Sequence, residues 1–174
     1  MTKSIRIGVS ACLLGEKVRY DGGHRRDSNI TVVLGRNFVF VPVCPEVECG
    51  MSIPREKMQL EGDLIKPRLM TVESRIDKTE EMTLFCRAWV GEFEKEELCG
   101  FILKSKSPSC GLSGICIHNG AIPAGTGRGL FAAALVERFP LLPVEDERGM
   151  ADPQARDKFI KMVFGYQNHP RTCK

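Results

Sequence analysis

A chain of 174 residues with 43% hydrophobic and 27% charged residues has the make-up of a globular domain, which excludes a disordered tail or a fibrous repeat. The formal net charge of +3 is too small to argue for nucleic-acid binding, so any such role rests on a local patch such as His24-Arg25-Arg26. No apolar run reaches the roughly 18 residues that a membrane span needs, so no membrane partner is expected.

The first element in chain order is an apolar run at 5–13, expected to be a buried strand. With only Lys3 and Arg6 beside so short a run, it is not expected to be a secretion signal, and a cytoplasmic chain with reduced thiols is expected. A short amphipathic stretch from Ser28 leads into a second strand at 38–43. Residues 50–75 carry Pro54, Pro67 and the turn Glu61-Gly62-Asp63, the pattern of an excursion from the sheet as a small hairpin or a lid. Met82, Phe85, Trp89 and Phe93 recur at helical spacing over 77–96. A third strand at 98–104 follows. Gly125-Thr126-Gly127 is expected to lead into a helix at 130–139 that stops at Pro140. The fourth strand is placed at 141–144. Asp152-Pro153 then supplies the N-cap and first residue of a last helix, with Phe159, Ile160, Val163 and Phe164 facing inward. This order predicts an α/β fold: a mostly parallel, four-stranded, Rossmann-like sheet flanked by helices, with an insert after strand 2, in a single domain over 1–174.

Eight cysteines in a reduced compartment point to metal binding or catalysis. Three of them follow three different strands: Cys12 in SACLLG, Cys44 in VCPE and Cys110 in KSKSPSCG. Ligands of open parallel sheets bind outside the carboxyl ends of the strands, so these three thiols are expected to converge there. Each is followed by a chain-turning residue, Gly15, Pro45 or Gly111. Converging thiolates select iron–sulfur clusters, zinc or copper(I). A four-iron cluster held by three thiolates keeps one iron open. Cys86 and Cys99 read as core thiols and Cys173 as inert. The pairs Cys44–Cys49 and Cys110–Cys116 leave structural zinc as an alternative, though their spacings are looser than usual ligand pairs.

The blocks SACLLG with YDG downstream, VCPEVECG followed by PRE, and KSKSPSCG resemble the TudS-like thiouracil and thiouridine desulfidases over 5–164. The single-domain length looks like the short RudS branch. The resemblance implies a [4Fe–4S] cluster on Cys12, Cys44 and Cys110, a catalytic glutamate at Glu46, and a catalytic serine in SPSCG, for which Ser107 is preferred over Ser109. It implies thiolated pyrimidines as substrates: 2- or 4-thiouracil, thiouridine nucleotides, or 4-thiouridine in tRNA. Cys49 stands where many short members have glycine, a departure that leaves the substrate branch open.

The mechanism implied is non-redox. The open iron takes the thiocarbonyl sulfur, Glu46 serves as general base or proton shuttle, Ser107 hydrogen-bonds the developing charge, and the carbon is hydrolysed to the oxo form. Ser10, Asp21, Ser109 and Arg25 are weaker candidates for substrate contacts, each with a bland alternative as a turn residue or a solvated charge. His24, Arg26, Lys104 and Lys106 are further candidates for phosphate contacts. The competing class is a non-catalytic metal- or redox-sensing module, or a tRNA-binding protein with a structural metal.

Overall fold

The computed structural model describes residues 4–168, and Cys173 lies outside them. β1 (Ile5–Ser10), β2 (Phe38–Val43), β5 (Phe101–Leu103) and β8 (Val144–Asp146) form an all-parallel sheet in the order β2-β1-β5-β8. The expected α/β architecture is therefore present. The chain leaves β1 for β2 on one side, and later returns to place β5 on the other side of β1. The carboxyl ends of β2, β1 and β5 thus lie side by side at a point where strand order reverses.

Successive strand residues face opposite sides of the sheet, which produces two apolar layers. Ile5, Ile7, Val9 and Ile102 pack with Ile30 and Leu34 of the helical stretch 29–36 and with α5 (Pro153–Gln167). Phe101 and Leu103 pack on the other side against α2 (Thr79–Glu96) and α3 (Leu130–Arg138). There Trp89 meets Phe101 and Phe131 edge-on, at centroid separations of 5.7 and 5.0 Å. Edge-to-face pairs of this kind add roughly 0.5–1.5 kcal/mol each beyond burial. Of the predicted inner face of α2, Met82, Trp89 and Phe93 are buried and Phe85 is half-buried against the same core. So does the cap of α5, where the Asp152 carboxylate accepts from the Gln154 N–H. On α5 itself Phe159 and Val163 are buried, while Phe164 is exposed.

Some boundaries differ from expectation. β1 ends at Ser10, and residues Ala11–Leu14 turn as a 3-10 helix closed by Gly15 at φ 101°, a conformation glycine adopts without strain. The last strand is Val144–Asp146 rather than 141–144. Pro140 and Pro143 lack the N–H a ladder needs, although the Pro143 carbonyl accepts from the Phe101 N–H.

A second sheet was not foreseen. It runs β4-β3-β6-β7, from β3 (Met58–Gly62), β4 (Pro67–Thr71), β6 (Ile115–Asn119) and β7 (Ile122–Gly127). The hairpin suspected in the insert is real, and β3 pairs parallel to β6 from the segment after Cys110. Gly125-Thr126-Gly127 belongs to β7 and is not a helix entry. His118 lies in β6, just before the Asn119-Gly120 turn.

Candidate functional site

A cavity of about 340 Å³ opens at the carboxyl ends of β2, β1 and β5. Cys12, Cys44 and Cys110 all line it. Cys12 stands in the 3-10 turn after β1. Cys44 follows β2 and precedes α1 (Pro45–Glu48), with Pro45 in the first helical position, where its missing N–H costs nothing. The Glu48 side chain reaches back to accept from the Cys44 N–H at 2.7 Å. Cys110 sits in the loop after β5. That loop is tied by Ser107 Oγ, which accepts from the N–H groups of Ser109 and Cys110 at 3.2 and 3.0 Å.

Burial pushes the Cys12 thiol up to about 11, and the neighbouring Cys44 adds to the effect. Burial also raises Cys44, and it drives Cys110 well above the usual thiol range, with Glu46 and the other two thiols adding to it. The three sulfurs thus lie close enough for their charges to oppose one another. Such a set favours a soft cation that draws off the protons and compensates the charge. Among the described residues, no three His, Cys, Asp or Glu side chains close around a single-ion point. All three thiols of the trio line the one cavity.

Glu46 lines the same cavity and is only 9% exposed. Its Oε1 accepts from the Ser109 hydroxyl at 2.8 Å, and its Oε2 accepts from Arg55 Nε at 2.7 Å. The structure separates the two serines of the SPSCG block. Ser107 is on the cavity wall, whereas Ser109 is fully buried behind it on Glu46. Ser10 lines the cavity, and its Oγ accepts from the Lys104 N–H at 2.9 Å. Arg25 also lines it, with its backbone N–H on the Cys12 carbonyl at 2.8 Å. Asp21 is not brought in. Its carboxylate is taken by Arg19 and by the Gly23 N–H in its own turn. Of the basic candidates, Lys104 and Lys106 line the cavity and His24 and Arg26 do not.

The zinc pairs do not assemble. Cys49 and Cys116 are absent from the cavity wall. Cys49 Sγ donates to the Glu46 carbonyl at 3.3 Å, and Cys116 lies on β6 of the other sheet. Cys86 and Cys99 are buried in the two cores, as expected. Sequence reasoning passed over Arg19, Tyr20, Arg55 and Lys57, all on the cavity wall. Arg55 stands inside the PRE segment, but nothing in a lone Arg shows that it folds back onto Glu46.

The arrangement is that of a Rossmann-like α/β protein with a thiol-lined cavity at its topological switch point. Comparison with known proteins gives its relatives. The model of the 2-thiouracil desulfurase family matches residues 7–147, and the chain belongs to that family. It is 34% identical over 134 residues to an uncharacterized protein, YbbK, of Bacillus subtilis (strain 168), which covers 73% of this chain and 87% of that one. Among solved structures it is similar to the [4Fe-4S]-dependent thiouracil desulfidase TudS. The TM-score is 0.71 at 31% identity, over 91% of this chain and 99% of that chain. No helix among the described residues is long and apolar enough to cross a membrane.

Proposed function

We propose that this protein is a desulfidase that hydrolyses thiolated pyrimidines with the help of a [4Fe–4S] cluster held by Cys12, Cys44 and Cys110. The observation that carries the reading is the convergence of three thiols from three strand ends on one cavity wall, with a single carboxylate, Glu46, on the same wall. The donor set fits the group: three thiols from three strand ends, all soft sulfur and largely buried, on the wall of one cavity. The likeness to a [4Fe-4S]-dependent thiouracil desulfidase supports the same cofactor.

When bound, such a cluster supplies soft Lewis-acid chemistry toward a thiocarbonyl sulfur. The chain's own residues do the rest. Glu46 takes a proton from the attacking water, so that a carbon–oxygen bond forms as the carbon–sulfur bond breaks. Thiouracil and water become uracil and hydrogen sulfide, with no net redox change. Ser107 spends its oxygen lone pairs on two backbone N–H groups, which leaves its O–H to donate to the substrate at the cavity wall. Ser10 and the Cys110 loop hold the wall in place.

Within the substrate class, a nucleotide fits better than a free base. Six cationic side chains line the cavity; Arg55, Arg19 and Lys104 are paired with Glu46, Asp21 and Glu147, while Arg25, Lys57 and Lys106 add positive charge beyond those pairs. A thiouridine nucleotide, or 4-thiouridine within tRNA, presents phosphate to this surplus.

The test is anaerobic reconstitution followed by incubation with 2-thiouracil, 4-thiouracil and 4-thiouridine monophosphate, reading loss of thiocarbonyl absorbance and release of sulfide. Turnover is expected, strongest with the nucleotide. Glu46→Gln is expected to retain iron and lose at least ~100-fold in rate. A reconstituted wild type that releases no sulfide from any of the three substrates would overturn the reading.

A further inference from the structure

Arg55 makes an unusual set of contacts for a residue outside the sheet. Its Nε and Nη2 both reach Glu46 Oε2, at 2.7 and 2.6 Å. Nη2 also donates to the Val18 carbonyl at 2.9 Å, and Nη1 to the Ser52 carbonyl at 3.3 Å. Its backbone N–H donates to the Tyr20 carbonyl at 2.8 Å. All three guanidinium nitrogens are therefore engaged, and the side chains of Arg55 and Glu46 are only 8% and 11% exposed. Ser109 closes the other carboxylate oxygen from the opposite side. Glu46 lies on the one-turn helix α1, too short to hold a side chain rigidly by itself.

A buried ion pair seldom adds stability over a well-packed apolar pair, because desolvation offsets the attraction. What this one does add is geometry. A carboxylate held at both oxygens has one orientation, and the same guanidinium fastens the 18–20 segment, whose Val18, Arg19 and Tyr20 line the cavity.

We propose that Arg55 is a positioning residue: with Ser109 it clamps the Glu46 carboxylate toward the cavity and pins the 18–20 wall segment to it. A lysine has one nitrogen and cannot make this fork. The kinetic arm of the proposal rests on the desulfidase reading; the structural arm does not.

Arg55→Ala, Arg55→Lys and Ser109→Ala are compared with wild type for bound iron, kcat and KM on a thiouridine nucleotide, and recovery of rate in guanidinium chloride at millimolar levels. Arg138→Ala, which breaks an exposed pair with Glu94, is the control for loss of an arginine–carboxylate contact elsewhere. The clamp predicts that Arg55→Ala keeps its iron and nearly its KM, loses ~100-fold in kcat, and regains rate in guanidinium. Arg55→Lys and Ser109→Ala fall between it and wild type. A structural role alone would lower iron content and melting temperature together and would not respond to guanidinium. Arg55→Ala with a wild-type kcat overturns the proposal. If that variant does not fold, a loaded Arg55→Lys at the wild-type rate overturns it, and a slowed one supports it. A crystal structure of either Arg55 variant reads the clamp without any turnover. The Glu46 carboxylate leaves the Ser109 hydroxyl if the proposal holds, and keeps its place if it does not. Wild type without turnover would strike the desulfidase reading and leave this structural arm to decide the clamp.

Discussion

Gly129 offers a sharp test of how the fold builds the cysteine site. It caps α3, and the first N–H groups of that helix donate back into the Cys110 loop: Leu130 to the Pro108 carbonyl, and Phe131 and Ala132 to the Ser109 carbonyl. A Cβ placed on Gly129 would sit 2.4 Å from the Ser109 oxygen, 2.5 Å from its carbonyl carbon and 2.9 Å from the Cys110 nitrogen. These are backbone atoms with no rotamer to move. Ordinary contact begins near 3.4 Å, so the loop must give by about 1 Å. Overpacking of this kind costs roughly 1–3 kcal/mol. For a chain of this length that is a fall of roughly 4–8 °C in melting temperature at the middle of the range. The displaced atoms are those that place the Cys110 sulfur and the Ser107 cap. Gly129→Ala should therefore bind less iron on anaerobic reconstitution than its loss of stability accounts for. The assay is iron per folded chain, alongside a thermal melt followed by circular dichroism. An alanine variant with wild-type iron content and melting temperature would refute the claim that helix α3 buttresses the site.

Other consequences are simpler to read. Cys86→Ala should keep its iron, since that thiol lies in the core and is pushed up to about 12 by burial, and should cost about 1 kcal/mol of stability in urea unfolding. Ser107→Ala should lose ~100-fold in kcat per bound iron, measured by sulfide release alongside iron content, because no other loop hydrogen bond replaces its donor at the wall. Glu61, buried in β3, is held down to about 2 by hydrogen bonds from Arg75, with Gln59 assisting. Its folded value lies below the ordinary 4.5, so its contribution to stability is full above about pH 4.5 and fades as pH falls toward 2. Urea unfolding of wild type and Glu61→Gln should differ most at pH 7, and the gap should narrow steadily as pH falls from about 4.5 toward 2; a constant gap would contradict this.

Much of the fold was legible because the parallel sheet and its two covering helices obey simple periodicity. The run at 38–43 is β2 to the residue, and the spacing of Met82, Trp89 and Phe93 marks the buried side of α2. The second sheet was harder. β7 is mostly exposed and, after Ile122, built from Pro, Ala, Gly and Thr, so it carries no apolar alternation to read. β3 was masked by Glu61, a buried carboxylate that is tolerated only because Arg75 and Gln59 satisfy it. At the site, the three cysteines could be found from their positions after the strands, since topology alone brings parallel strand ends together. Asp21 could not be judged that way, because only the folded turn shows its carboxylate spent on Arg19 and Gly23. Nor could Arg55, whose contact with Glu46 depends on a loop path that no local pattern encodes.

The most direct measurement is the iron and acid-labile sulfide bound per chain after anaerobic reconstitution of wild type and of the single variants Cys12→Ala, Cys44→Ala and Cys110→Ala. Close to four irons and four sulfides are expected for wild type, in line with a [4Fe–4S] centre, and a loss of most of both in every variant. Full loading of any one of the three variants would contradict this.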